Sequence, residues 1–220
     1  MRKTTVLFDL DGTLTDPKTG ITQSVRHSLK AFGIEVADAD ELVPFIGPPL
    51  RESYKKFYGF SVADAEAAVA HYREYFADRG IFENTMYAGI DGMLKQLAAS
   101  GQTLALATSK PTVYAQRILA HFGLDAYFAF VAGSELDGRR SEKAQVIGYA
   151  LENLGITDVG GVIMVGDKQH DVLGAKALGM ESIGVLYGYG SAEELTNAGA
   201  TYLAGSVAEL SRMLANTNPG

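Results

Sequence analysis

From about residue 88 onward, short apolar runs alternate with segments of helical periodicity, and this alternation constrains the fold more than any other feature. The run Val162–Val165 is apolar at every position, which is typical of a strand buried on both faces of a parallel sheet. Strands that alternate with helices along a chain favour a doubly wound arrangement. The sequence therefore predicts an α/β fold built on a doubly wound, Rossmann-like parallel sheet.

The pattern also predicts where the elements of this sheet lie. The predicted strands are residues 4–9, Thr103–Thr108, Ala129–Ala132, Gly161–Val165, Ser182–Val185 and Thr201–Leu203. The predicted helices are Gly92–Ala99, Thr112–Phe122, Glu142–Leu154, Val172–Leu178, Ala192–Ala198 and Val207–Leu214.

The segment after the first strand is different, because residues from about 15 to 85 show helical periodicity and no convincing strand. Ile21, Val25 and Leu29 recur at a helical interval. Ser61 with Asp64 three residues later is typical of a helix N-terminus. We therefore expect an α/β core domain of residues 1–14 and 88–216, an inserted all-helical cap domain of residues 15–87, and a flexible tail of residues 217–220.

Charge and composition exclude several classes of protein. The net charge is −7 and no Lys/Arg cluster is longer than a pair, so a nucleic-acid partner is not expected. The absence of cysteine excludes disulfides, thiolate metal sites and a cysteine nucleophile. No apolar stretch is long enough to span a bilayer. We expect a cytoplasmic protein, a monomer or homodimer, that does not bind a membrane.

Polar motifs follow the predicted strands where those strands end. They are Asp9–Thr13, Thr108–Pro111, Lys143 in the first turn of a predicted helix, and Gly166–Asp171. Because the carboxyl ends of parallel strands share one edge of a doubly wound sheet, these motifs are expected to converge there.

The residue types in these motifs suit phosphoryl transfer. Four carboxylates are present, namely Asp9, Asp11, Asp167 and Asp171. They would repel one another unless a cation lay among them, and oxygen ligands suit Mg²⁺. Thr108 supplies a hydroxyl, and Lys143 supplies a positive charge at a helix start, where the helix dipole does not favour it. Such a set neutralises charge on a phosphoryl group and holds it in place.

In this order and spacing, the motifs resemble those of the phosphatases in the haloacid dehalogenase superfamily. The resemblance covers essentially the whole chain, and it implies that the helical insert is a C1 cap. Gly47–Leu50, Gly138–Lys143 and Gly166–Asp171 resemble the branch that contains phosphoglycolate phosphatases and 5′-nucleotidases. The dehalogenases themselves lack the second aspartate of the first motif, so Asp11 argues against dehalogenation.

The resemblance also implies roles for individual residues. Asp9 would be the nucleophile that forms an aspartyl-phosphate, and Asp11 would be the general acid and base. Thr108 and Lys143 complete the implied catalytic set. The implied metal set is Asp9, Asp11 through its backbone carbonyl, Asp167 and Asp171, with Asp171 supporting this shell through Lys143 or a water. The implied phosphate-binding residues are Gly12, Thr13 and Ser109.

Two further residues are interpreted from their neighbours. Arg51, beside the Gly47–Leu50 turn, is a candidate for contacting a second anionic group of the substrate, and a solvated helix arginine is the alternative. Lys110 and Pro111 are interpreted as structural, since proline is favourable near a helix start.

Three functions remain open at this point. The leading one is a Mg²⁺-dependent phosphatase acting on a small phosphorylated metabolite, such as phosphoglycolate, a nucleoside 5′-monophosphate or a sugar phosphate. The second is a phosphosugar mutase of similar design. The third is a phospho-accepting signalling domain, a class that also places acids, a threonine and a lysine around Mg²⁺ but is typically shorter than this chain.

Overall fold

The apolar runs form the strands of one parallel sheet in the computed structural model, which describes residues 3–216. In chain order, the strands are β1 (Thr5–Phe8), β2 (Thr15–Asp16), β3 (Thr85–Met86), β4 (Thr103–Pro111), β5 (Phe130–Ser134), β6 (Val162–Gly166), β7 (Glu181–Val185) and β8 (Tyr202–Ala204). Six of them form a sheet in the order β5-β4-β1-β6-β7-β8 with every neighbouring pair parallel. The predicted α/β fold is confirmed.

The first strand of the chain lies in the middle of this sheet. Leu7 of β1 is in register with Ala105 of β4 on one side and Met164 of β6 on the other. All four residues of β1 are buried. The residues that follow β1, β4 and β6 therefore emerge side by side at one edge of the sheet.

Helices pack on the sheet and also form the segment after β2. In chain order, the helices are α1 (Lys18–Ala31), α2 (Leu50–Tyr58), α3 (Val62–Phe76), α4 (Ile90–Ala99), α5 (Thr112–His121), α6 (Lys143–Asn153), α7 (Gln169–Ala177), α8 (Ala192–Ala198) and α9 (Val207–Asn216). Val146, Ile147 and Ala150 of α6 join Leu7 and Met164 of the sheet in one buried apolar cluster. Across residues 3–216, no helix combines the length and apolarity needed to cross a bilayer.

The chain divides into two compact units. One comprises Met1–Thr15 and Met86–Gly220, and the other comprises Asp16–Thr85. In the second unit, Ser61 caps α3 by accepting a hydrogen bond from the Asp64 N–H at 3.1 Å, as its spacing predicts. The tail predicted at residues 217–220 lies outside the described residues.

Several boundaries differ from the sequence-based expectations. No strand is expected between about residues 15 and 85, yet β2 and β3 pair with each other. The sequence gives no sign of them because two-residue strands are too short to show an alternating pattern. The helix α7 begins at Gln169 and not at Val172, since its polar first turn carries no apolar periodicity. The strand β4 continues beyond Thr108 to Pro111.

Candidate active site

The turn after β1 carries the first motif and is held by its own backbone. The Asp9 N–H donates to the Val165 carbonyl at 2.9 Å, and the Gly12 N–H donates to the Thr15 carbonyl at 2.8 Å. Gly12 has φ +82°, and a Cβ at this position would lie 2.1 Å from Asp167 Oδ2. A side chain at position 12 would therefore displace Asp167, so only glycine lets the turn approach this carboxylate.

Three carboxylates meet beside this turn. One oxygen from each of Asp9, Asp167 and Asp171 lies within 4.8 Å of the others, and all three residues are buried. Burial and the neighbouring charges of Asp171 and Asp9 raise the pKa of Asp167 well above its ordinary value. Burial likewise raises the pKa of Asp171. The cluster is therefore under electrostatic stress that a cation relieves.

Lys143 connects two of these acids. It is the first residue of α6, and its Nζ lies 2.9 Å from Asp9 Oδ1 and 2.7 Å from Asp171 Oδ1. The same Nζ donates to the Ala107 carbonyl at 3.0 Å. Although burial opposes its charge, Asp171 and Asp9 raise the pKa of Lys143, so it is an ammonium.

One lysine does not balance three carboxylates, and the remaining oxygens suit a divalent cation. Asp167 Oδ2 accepts a hydrogen bond from the Tyr189 N–H at 2.8 Å, whereas Asp167 Oδ1 is buried and has no hydrogen-bond partner within residues 3–216. Such an unpaired oxygen is costly unless it meets a positive group. Carboxylate oxygens are the donors that Mg²⁺ prefers, so the residues fit that ion.

Asp11 stands apart from this cluster and pairs with a different lysine. Lys110 Nζ lies 2.7 Å from Asp11 Oδ2, and both side chains are buried. Burial raises the pKa of Asp11, although Lys110 opposes this change. The predicted metal contact of Asp11 through its backbone carbonyl stays a prediction.

The interpretation of Lys110 as structural missed this ion pair. Burial alternates along the end of β4, where Thr108 and Lys110 are buried and Ser109 and Pro111 are half-buried. Thr108 Oγ1 accepts a hydrogen bond from the Lys110 N–H at 3.3 Å. The alternation would have grouped Lys110 with the predicted site if the strand had not been expected to end at Thr108.

The other predicted residues of the motifs Asp9–Thr13 and Thr108–Pro111 lie at the same edge of the sheet. Thr108 is buried, and the Ser109 carbonyl accepts a hydrogen bond from Ser134 Oγ at 2.8 Å. Thr13 is fully buried, and its Oγ1 has no hydrogen-bond partner in the described part of the chain. Their contacts with phosphate stay predictions.

Arg51 belongs to the helical unit, Asp16–Thr85. Its guanidinium pairs with Glu66, and this contact holds the pKa of Glu66 below its ordinary value. Its contact with a substrate stays a prediction.

The loop after β7 was not predicted as part of the site. Tyr187 OH donates to the Thr13 carbonyl at 3.1 Å, and Lys168 Nζ donates to the Tyr189 carbonyl at 2.9 Å. A Cβ at Gly190 would lie 1.9 Å from the Asp167 carbonyl oxygen. The sequence does contain an indication of this loop, since a Gly-Tyr-Gly segment follows the predicted strand Ser182–Val185 at the same edge of the sheet. It contributes mainly backbone groups, which a search for charged side chains overlooks.

Comparison with known proteins decides the family. Residues 6–185 match the haloacid dehalogenase-like hydrolases. The chain belongs to this family. The resemblance inferred from the four motifs is therefore confirmed.

Relatives of this haloacid dehalogenase-like hydrolase carry the names of phosphate-handling enzymes. It is 44% identical to a 5′-nucleotidase of Pseudomonas aeruginosa, over 97% of this chain and 96% of that protein. It is 40% identical to the tyrosine-protein kinase PtkA of Mycobacterium tuberculosis, over 89% of this chain and 66% of that protein. Other curated relatives are named phosphoglycolate phosphatase.

A solved structure agrees closely with the fold. The crystal structure of a predicted phosphatase from Clostridium acetobutylicum superimposes with a TM-score of 0.95 at 48% identity, covering 98% of this chain and 100% of that one. The family member described here is thus an enzyme, a haloacid dehalogenase-type phosphatase that acts on a small phosphate substrate.

Proposed function

We propose that the protein is a Mg²⁺-dependent phosphatase that hydrolyses a small phosphomonoester metabolite through an aspartyl-phosphate on Asp9. The observation that carries this proposal is the buried group of Asp9, Asp167 and Asp171 with Lys143 bridging two of its members. Opposite charges gathered around one candidate nucleophile are the arrangement that phosphoryl transfer requires.

The carboxylates of Asp9, Asp167 and Asp171 and the backbone carbonyl of Asp11 are the groups that would hold the metal. When bound, Mg²⁺ supplies positive charge that lowers the cost of bringing a carboxylate to a phosphate dianion. The Lys168 N–H donates to Asp171 Oδ2 at 3.0 Å, and Lys143 contacts its other oxygen. Asp171 is therefore fixed in place and supports the set.

Lys143 orients the Asp9 carboxylate for its attack on phosphorus. The ammonium holds Asp9 Oδ1 at 2.9 Å, so the carboxylate cannot rotate freely. In the first step, a carboxylate oxygen of Asp9 forms a bond to phosphorus while the bond from phosphorus to the leaving alcohol breaks. Asp11 donates its proton to the departing oxygen, and burial, which raises its pKa, favours the protonated form that this step needs.

The second step releases the enzyme. A water attacks phosphorus, Asp11 takes a proton from that water, and the bond between phosphorus and Asp9 breaks, which yields inorganic phosphate. Thr108 and the backbone of Ser109 would bind phosphate oxygens, and Lys143 would offset their charge. Gly12 and Thr13 shape the turn against which the phosphate would lie.

The proposed substrate is a nucleoside 5′-monophosphate or a molecule like phosphoglycolate. The 44% identity to a 5′-nucleotidase supports the first, and the relatives named phosphoglycolate phosphatase support the second. Arg51 remains the candidate for a second anionic group of the substrate.

The test is a phosphate-release screen over a metabolite panel, with Mg²⁺ and with EDTA. The panel includes nucleoside 5′-monophosphates, phosphoglycolate, sugar phosphates and 4-nitrophenyl phosphate. We expect turnover of at least one nucleotide or phosphoglycolate in Mg²⁺ and none in EDTA. Release from no member of the panel would overturn the proposal, and an isomerised sugar phosphate without free phosphate would favour the mutase.

The similarity to PtkA favours one second candidate, phosphoryl transfer to protein tyrosine. Incubation with ATP and a tyrosine-containing protein tests it. Phosphotyrosine that depends on Asp9 would support this candidate, and ATP consumption without phosphotyrosine would exclude it.

A further inference from the structure

We propose that Lys110 is a positioning residue for Asp11, which pins one carboxylate oxygen so that proton transfer runs through the other. This inference rests on the proposed function, because it concerns the proton that the leaving alcohol receives. It adds to the site a lysine that is interpreted from the sequence as structural.

The contact is short and shielded from water. Lys110 Nζ lies 2.7 Å from Asp11 Oδ2, with 6% of the lysine side chain and 11% of the aspartate side chain exposed. A lone ammonium or carboxylate at this depth would be strongly destabilised. The two groups therefore stay together, and each restricts the orientation of the other.

The two oxygens of Asp11 have different surroundings. Oδ2 faces the ammonium and accepts from it, so Oδ2 is a poor place for the proton of the acid. Oδ1 is buried and, among residues 3–216, has no hydrogen-bond partner. A protonated Asp11 therefore carries its proton on Oδ1, the oxygen that does not contact Lys110, and we assign the proton transfer to the leaving alcohol to this oxygen.

The backbone around Lys110 is fixed on both sides. Its N–H donates to Thr108 Oγ1 at 3.3 Å. On the neighbouring strand, Gly133 approaches so closely that a Cβ there would lie 2.4 Å from the Lys110 carbonyl oxygen. The pairing of β4 with β5 also shifts register between Ala107 and Pro111. An irregular strand end that is anchored in this way aims the lysine side chain at Asp11.

The two buried lysines of the site form ion pairs with different aspartates. Lys143 contacts Asp9 and Asp171, whereas Lys110 contacts Asp11. Lys143 orients the proposed nucleophile, and Lys110 orients the proposed acid. Their substitution is therefore expected to affect different parts of the reaction.

The test compares aryl phosphates that share one benzene ring but release phenols of different acidity. With 4-nitrophenyl phosphate the phenolate departs without needing a proton, whereas phenyl phosphate needs an acid. The value of kcat/KM reports the steps up to the first irreversible one, the phosphorylation of Asp9. We expect Lys110→Met to lose on the order of tenfold more kcat/KM with phenyl phosphate than with 4-nitrophenyl phosphate.

The value of kcat gives a second readout. Water activation also uses Asp11, so kcat is expected to fall with both substrates. Lys110→Arg retains a cation and is expected to restore part of the loss. A Lys110→Met variant that loses kcat/KM equally with both substrates would overturn the inference, because a merely structural role predicts equal losses.

A matched control lies at the other end of the sheet. Lys3 is also a buried lysine, 2.9 Å from Glu181, and Lys3→Met is expected to leave the dependence on the leaving group unchanged. If Lys110→Met does not fold, Asp11→Asn and the double variant Asp11→Asn with Lys110→Met replace it, since the double variant buries no lone charge.

The double variant is expected to match Asp11→Asn across the aryl series, because the proposed role of Lys110 is exerted through Asp11. A further loss in the double variant would overturn the inference. Failure of the two proposals is distinguishable: wild-type protein that releases no phosphate contradicts the proposed function, whereas active wild-type protein with an unchanged leaving-group dependence in Lys110→Met contradicts only the role of Lys110.

Discussion

The two edges of the parallel sheet both bury charge, but they handle it differently. At the amino edge, Lys3 donates to the Gly160 carbonyl at 2.9 Å and pairs with Glu181, whose side chain is 45% exposed. At the carboxyl edge, Asp9, Asp167 and Asp171 are all buried beside one lysine. Lys3 at the amino edge is paired with its neighbours, whereas at the carboxyl edge Asp167 Oδ1 has no hydrogen-bond partner among the described residues.

This difference separates a structural charge from a functional one. Burial alone does not make the distinction, since Lys3 and Lys143 are almost equally buried. What differs is the balance of charge and the number of polar atoms without a partner. Substitutions at the two edges test that balance.

The largest effect is expected from Asp9→Asn. Because an amide is a far weaker nucleophile than a carboxylate, turnover is expected to fall by at least about 1000-fold. The circular dichroism spectrum and melting temperature are expected to stay close to those of the wild type, since Asn has nearly the same volume. Phosphate release is the measurement, and activity near the wild-type level would show that another group attacks phosphorus.

Lys143→Met is expected to lower kcat by about 100- to 1000-fold, because it removes charge that faces the phosphate. It also leaves Asp9 and Asp171 without their cation, which is expected to cost about 3 kcal/mol of unfolding free energy in EDTA. Urea unfolding with EDTA and with Mg²⁺ checks this. A loss that is equal in both conditions would argue that the metal does not share this charge.

Asp167→Asn tests the electrostatic stress directly. Because the pKa of Asp167 is raised in the folded protein, a neutral side chain is expected to raise the melting temperature measured in EDTA. The same change removes a proposed metal ligand. The rise in melting temperature that Mg²⁺ gives the wild type is therefore expected to be smaller in the variant. A thermal shift by Mg²⁺ that matches the wild type would contradict the proposed site.

The smallest effect is expected from Lys3→Met at the amino edge. Loss of one charged hydrogen bond is expected to cost about 2 kcal/mol of unfolding free energy, because the exposed Glu181 becomes hydrated when its partner is removed. Both kcat and the Mg²⁺ response are expected to be unchanged. A loss of activity in this variant would mean that the two edges are coupled.

Much of the carboxyl edge could be predicted from the sequence. Continuous apolar strands indicate a parallel sheet, and a parallel sheet brings the ends of β1, β4 and β6 together. That rule is sufficient to place Asp9, Thr108 and Asp167 in one region before any coordinates are known. The family resemblance then supplies roles that geometry alone does not assign.

The parts that could not be predicted share a physical cause. Lys110 joins the site only because β4 extends beyond the point where its apolar run ends, and the Thr108–Pro111 segment carries no apolar pattern. The loop at Tyr189 contributes a backbone N–H, which every residue type offers. The strands β2 and β3 are too short for periodicity. The local sequence pattern therefore fails to predict the structure where backbone contacts, and not side-chain chemistry, determine it.

The central position of β1 has a consequence for biosynthesis. Phe8 is synthesised well before its neighbour Val165 on β6. Such long-range pairing is slow to form. A nascent chain that stops before β6 therefore carries Asp9 on a strand that lacks one flank, and the proposed metal site is expected to form only after Asp167 and Asp171 have been added.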